Sequence, residues 1–145
     1  MKYRIESDFL GELKIPSDAY YGIHTQRAVD NFPIADVAIS VYPNIVIAYA
    51  MVKLACARAN NQLGLLDDDI YHPIVTACER IINGEFHEQF IVEIIQGGAG
   101  TSTNMNANEV IANVALEIIG KEKGDYDAIS PLGHVNMSQS TNDTY

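Results

Sequence analysis

The chain has 145 residues, 48% of them hydrophobic. That suits one domain with a core and excludes a disordered segment. Nineteen acidic residues against nine basic ones give a net charge of −10, which argues against nucleic acid or an anionic membrane surface as a partner. It also means that an anionic substrate would meet a repulsive long-range field, so any attraction must be local or come from outside the chain.

Residues 3 to 20 read as a short hairpin or extended arm, with loose alternation of Tyr3, Ile5, Leu10, Leu13 and Ile15 around Gly11. The second half of Tyr20–Val29 reads as a short helix reaching Asn31 and stopped by Phe32-Pro33. Pro43 opens a long helix to about Gln62, with Ile45, Ala48, Tyr49, Val52, Ala55 and Cys56 as its apolar face and Gly64 as its stop. Asp67-Asp68-Asp69 begins the next helix, acidic groups at the favourable dipole end, and reads as a helix start rather than a metal site. Its apolar face is Ile70, Ile74, Ala77, Cys78, Ile81 and Ile82, and Gly84 ends it. Glu85 to Gln89 reads as irregular, and Phe90 to Ile95 as a buried strand or an extended segment. A second long amphipathic helix is expected from about Asn104 to Ile119, then a charged loop from Glu122 to Pro131. The fold class is mainly α with a small β-hairpin near the N-terminus.

Cys56 and Cys78 each lie in an apolar helical pattern, so buried free thiols in a reducing compartment are expected. Met1-Lys2-Tyr3-Arg4-Ile5-Glu6 carries charge where a secretory leader needs an apolar run. The most apolar window, Ile45 to Ala57, contains Lys53 and is too short to cross a bilayer. A soluble, cytoplasmic protein with no membrane partner is expected.

Two polar clusters carry the chemistry. In Gln96-Gly97-Gly98-Ala99-Gly100-Thr101-Ser102-Thr103-Asn104-Met105-Asn106-Ala107-Asn108, glycines lead into hydroxyls and carboxamides at a helix start. Free N–H groups and small side chains there suit a carboxylate, although helix capping explains the same residues. There is no lysine for a P-loop and no third glycine for a dinucleotide fingerprint. The second cluster, Ser138-Gln139-Ser140-Thr141-Asn142, repeats the chemistry. Neither has Lys or Arg nearby in sequence. Neutral donors of this kind can stabilise charge that develops on an oxygen during reaction. The four histidines are scattered, and no Cys/His metal spacing or Gly-x-Ser-x-Gly is present.

The stretches Gln96–Asn113 and His134–Asp143 closely resemble the aspartase/fumarase superfamily, and within it the aspartate ammonia-lyase family. Gln-Gly-Gly-Ala-Gly-Thr before the helix, Thr141, and Ala19-Tyr20-Tyr21-Gly22-Ile23-His24-Thr25 carry the narrower likeness. The resemblance covers essentially the whole chain. It implies deamination of L-aspartate to fumarate through an aci-carboxylate, with no organic cofactor. Thr101, Ser140 and Thr141 would hold the carboxylate that gathers charge, and Asn142 the amino or α-carboxylate end. Ser102, Asn104, Asn106, His24 and Arg27 would support them.

The resemblance further implies that residues 1–135 form an N-terminal helical domain and 136–145 the start of a central helix bundle. Family members are longer homotetramers whose remaining part supplies the serine base, a Thr-His pair and a substrate-binding lysine. The 145 residues alone are therefore expected to be inactive, with no catalytic residue among them and the missing cationic group outside them. Leu132-Gly133 stands where relatives often have Asn-Asp, so a secondary anion site of fumarases is not carried over. The alternatives are a fumarate hydratase or other superfamily lyase, and a non-catalytic helical binding module.

Overall fold

The structure, a computed structural model, describes residues 2–96 and 98–145. Gly97 of the glycine turn lies outside the described residues. Strands β1 (Tyr3–Asp8) and β2 (Gly11–Pro16) pair antiparallel, with Tyr3 opposite Pro16 and Asp8 opposite Gly11. Phe9 and Leu10 form the exposed tip, and the Asp8 carboxylate accepts from Leu10 N at 2.9 Å.

Four helices follow: α1 (Ile23–Asn31), α2 (Pro43–Gln62), α3 (Asp68–Ile82) and α4 (Thr101–Ile118). Helix α2 packs on α3, α3 on α4, and α1 on α4. The stops at Gly64 and Gly84 are as the sequence indicates, both with positive φ. Pro73 lies inside α3 without ending it. No helix among the described residues is long and apolar enough to cross a membrane.

The structure decides one open reading and revises several expectations. Of the two forms the sequence allows for Phe90 to Ile95, it has the extended segment. Ile39 N donates to Val92 O, Ile94 N donates to Val37 O, and a single bridge joins Ala38 to Glu93. His87–Gln89 is a turn of 3₁₀ helix, entered through a left-handed Phe86. Cys78 is buried, but Cys56 is only half-buried; both are free.

The core face of α2 is rotated from the expected one. Val46, Tyr49, Ala50, Lys53, Ala57 and Asn60 point inward, whereas Ala48, Val52 and Ala55 are exposed. The helix is apolar on both sides, so spacing alone cannot say which side meets the core.

The largest revision concerns α4, which is not amphipathic. Every residue from Thr103 to Leu116 is buried. A helix buried all round is the centre of the fold, and its polar residues must all find partners inside it. Apart from Asn108 Oδ1, which has no partner among the described residues, they do so by reaching different elements. Asn106 donates to Gln89 O and accepts from Val92 N. Asn113 donates to Tyr20 O and to the Tyr126 hydroxyl, and accepts from Gly124 N. Glu109 receives the first turn of α1: Gly22 N at 2.9 Å, His24 N at 2.9 Å, Thr25 N at 3.0 Å and Thr25 Oγ1 at 2.6 Å. Burial drives the Glu109 carboxyl upward from its usual range, and these donors oppose that rise.

Candidate active site

The glycine turn delivers the chain to α4 through Gly100, whose φ of +80° is the left-handed conformation that glycine adopts freely. The helix then starts at Thr101, three residues earlier than periodicity suggests. Its free N–H groups are capped from outside. Gln96 Oε1 accepts from Ser102 N at 2.8 Å and from Thr103 N at 3.3 Å, and Gln96 Nε2 donates to Thr103 Oγ1. Since Gln96 does the capping, the exposed Thr101 hydroxyl is not consumed as a cap.

The second cluster is shaped by the turn before it. Pro131–Val135 forms a single wide helical turn. Ser130 Oγ accepts from Gly133 N at 2.9 Å, and the His134 ring accepts from Ser130 N through Nδ1, also at 2.9 Å. That bond requires a ring unprotonated at Nδ1, and burial lowers the His134 pKa, favouring the same neutral form. Residues 136–145 then run as turns. Ser140 and Asn142 are exposed and Thr141 is half-buried. Asn142 N donates to Ser140 Oγ at 3.3 Å, so the turn has the local capping chemistry its sequence indicates.

The two clusters meet. Thr144 Oγ1 donates to Asn104 Oδ1 at 2.8 Å and lies 3.3 Å from Thr141 O. Asn104 Nδ2 donates to Asn136 Oδ1 at 3.0 Å. The Tyr145 ring lies against Gly100, where an added Cβ would fall 2.0 Å from its Cγ. The start of α4 and the segment that follows the Ser140-Thr141-Asn142 turn are therefore joined through Asn104, Thr144 and Tyr145. A cleft of about 480 Å³ lies beside this junction, bounded by Tyr49, Val52, Thr103 and Thr144.

At the centre of this junction is a residue the sequence did not single out. Lys53, from α2, is fully buried. Its ammonium donates to Asn104 Oδ1 at 2.6 Å, Gln139 Oε1 at 2.8 Å and Asn136 Oδ1 at 3.0 Å. Neither cluster has a lysine or arginine nearby in sequence, and the fold brings one to both from α2. Lys53 is 51 residues from Asn104 and 86 from Gln139, so only the packing of α2 brings it there. The one signal available was a lysine inside the most apolar window of the chain.

The remaining candidates are engaged elsewhere. Arg27 makes a bidentate pair with Asp8 (2.7 and 2.8 Å) and also donates to Gly11 O, tying α1 to the hairpin. His24 gives its backbone N–H to Glu109. Asn106 braces the extended segment, and Ser102 is tied to Gln96.

A family described as "Lyase" matches residues 11–145. The aspartate ammonia-lyase of Pseudomonas aeruginosa is 61% identical over 98% of this chain. A Brucella melitensis crystal structure titled fumarate lyase:delta crystallin superposes with a TM-score of 0.98 at 58% identity over 99% of this chain and 31% of its own. A class II fumarase from Schistosoma mansoni gives 0.90 at 34% identity, covering 99% of this chain and 30% of that one. The chain spans about 30% of the length of the curated relative it matches. With the matched segment covering nearly all of its residues, the chain belongs to the lyase family, within the aspartase/fumarase superfamily.

Proposed function

We propose that this chain is the N-terminal part of an aspartate ammonia-lyase, which converts L-aspartate to fumarate and ammonia. The observation that carries the reading is the meeting of the two clusters. Thr144, next to the Ser140-Thr141-Asn142 turn, bonds to Asn104 in the first turn of α4, over a buried ammonium, in a chain 61% identical to an aspartate ammonia-lyase.

In this reading a base removes the C3 proton of aspartate. The electron pair moves into the adjacent carboxylate and makes it a dianionic aci-carboxylate. The pair then returns to form the C2–C3 double bond while the C2–N bond breaks, and nitrogen leaves as ammonia. The hydroxyls of Thr101, Ser140 and Thr141 donate to the carboxylate oxygens as their charge grows. Asn142 holds the amino or α-carboxylate end. Donors that strengthen as charge develops lower the barrier.

Residues 1–135 form the N-terminal domain, and 136–145 begin a helix bundle that assembles a homotetramer in the cytoplasm. The serine base, a Thr-His pair and the substrate-binding lysine lie in the remainder, so the 145 residues alone are inactive.

The test is fumarate formation, followed by its ultraviolet absorbance, from L-aspartate by the protein extended past Tyr145. Thr141→Ala should lower kcat/KM by about 100-fold or more, the usual effect of losing one such donor. Extended protein that hydrates fumarate and ignores aspartate moves the assignment to a fumarase. Fumarate production by purified 1–145 sinks the claim that the base lies elsewhere.

A further inference from the structure

An ammonium withdrawn from water is costly, and a protein normally places a carboxylate against it. Lys53 has none. Its three protons go to three neutral carboxamide oxygens, on Asn104, Asn136 and Gln139. The hydrogen bonds are complete, but the charge is not balanced. The titratable groups acting on it are two thiols, Cys56 on its own helix and Cys78 from α3. The buried carboxylate of α4, Glu109, is occupied by the first turn of α1.

The same carboxamides form the floor of the candidate site. Asn104 Oδ1 also accepts from Thr144, whose hydroxyl lies against the Thr141 carbonyl. Asn136 Oδ1 collects Asn104 and Asn108 as well as Lys53. Gln139, which immediately precedes Ser140, holds its turn by donating to Val135 O and Met137 O. The ammonium thus bonds Gln139 directly on one side of the Ser140-Thr141-Asn142 turn and reaches Thr144 on the other side through Asn104. A single positive charge so placed, in a chain of net charge −10, resolves the puzzle of how an anion is attracted locally.

We infer that Lys53 is a positioning residue whose unbalanced buried charge fastens the Ser140-Thr141-Asn142 turn to α4 and draws a dicarboxylate to it. Its counter-charge is the ligand itself, acting through the carboxamides rather than by contact. The inference rests on the site assigned above and adds a residue to it. Burial lowers the Lys53 pKa to about 8. The attraction is therefore present below that value and is lost as pH rises through it.

The experiment is calorimetric binding of fumarate to the extended protein and to its Lys53→Met variant, from pH 7 to 9.5. Fumarate is the probe because it has no group that titrates in this range. Wild type should weaken as pH rises. At pH 7 the variant should bind about 10-fold less tightly, with a flatter profile. The variant keeps both cysteines, so the difference between the profiles belongs to Lys53. A folded variant with wild-type affinity and an unchanged pH profile overturns the inference. If Lys53→Met does not fold, the wild-type profile decides, and an affinity constant to pH 9.5 overturns it. Protein that binds fumarate with the expected profile yet releases no ammonia from aspartate refutes the reaction and leaves the Lys53 role standing. Turnover of aspartate with binding indifferent to pH and to Lys53 does the reverse.

Discussion

Gly22 has a requirement of space rather than of backbone freedom. Its φ of −125° suits any residue, but a Cβ there would fall 2.5 Å from the Tyr126 hydroxyl, 2.7 Å from Glu6 Oε2 and 2.9 Å from Glu109 Cδ. All three belong to a buried network that also holds Ile23 N on Glu6 and Gly22 N on Glu109. Nothing in it is a flexible end that can swing away. Gly22→Ala should cost about 2 kcal/mol, the range of overpacked sites, and lower the urea midpoint; an unchanged midpoint would show that the network yields.

Lys53 gives a second prediction at this scale. Burial lowers its folded pKa to about 8, below the 10.5 usual for a lysine in water, so between those values the unfolded chain holds a proton that the folded chain has lost. Stability from this residue must then rise with pH across that window. Relative to Lys53→Met, wild type should gain about 2 kcal/mol between pH 7 and pH 9.5, read from paired urea titrations. A difference that stays level or falls would show that the carboxamides fully offset burial. Neither residue's role was legible in the sequence. Gly22 reads as an ordinary loop glycine and Lys53 as an interruption of an apolar helix, because the groups that constrain them arrive from distant parts of the chain.

At the scale of elements, local chemistry marked most boundaries. Pro43, Gly64, Asp67 and Gly84 bracket α2 and α3 where the structure has them. The start of α4 escaped because its cap is not local. A side-chain cap is sought at the residue before the helix, whereas Gln96 reaches across the glycine turn to Ser102 and Thr103. Periodicity also misled, since α4 buries asparagines and a glutamate along with its apolar residues. Gln96→Ala tests this cap. It should cost about 1 kcal/mol, as lost caps do, and speed hydrogen exchange at Ser102 and Thr103 N–H while mid-α4 amides stay protected. Equal exchange at those two amides would mean that water or a neighbouring group caps the turn as well as Gln96 does.

At the scale of the whole molecule, α2 is the unusual helix. Its inner face carries Lys53 and Asn60, and its outer face shows Ala48, Met51, Val52, Ala55 and Ala59 at helical spacing. Met51 is 52% exposed, and Val41 and Tyr42 extend the surface at the start of the helix. Leaving such a stripe in water is unfavourable in proportion to its area, and continuous stripes of this kind mark surfaces that other chain normally covers. A net charge of −10 opposes the approach of two copies, but salt screens that repulsion and leaves the apolar attraction intact. The 145-residue chain should therefore associate with rising concentration, and more strongly at 0.5 M than at 0.05 M sodium chloride, by roughly the screening expected when the Debye length falls below 10 Å. Light scattering after size exclusion reads this directly. Val52→Lys, which places charge in the stripe without touching the core face, should restore the 15.9 kDa monomer. A chain that is monomeric at every concentration and salt would mean that the stripe is tolerated in water and that covering it is no part of how this domain is stabilised.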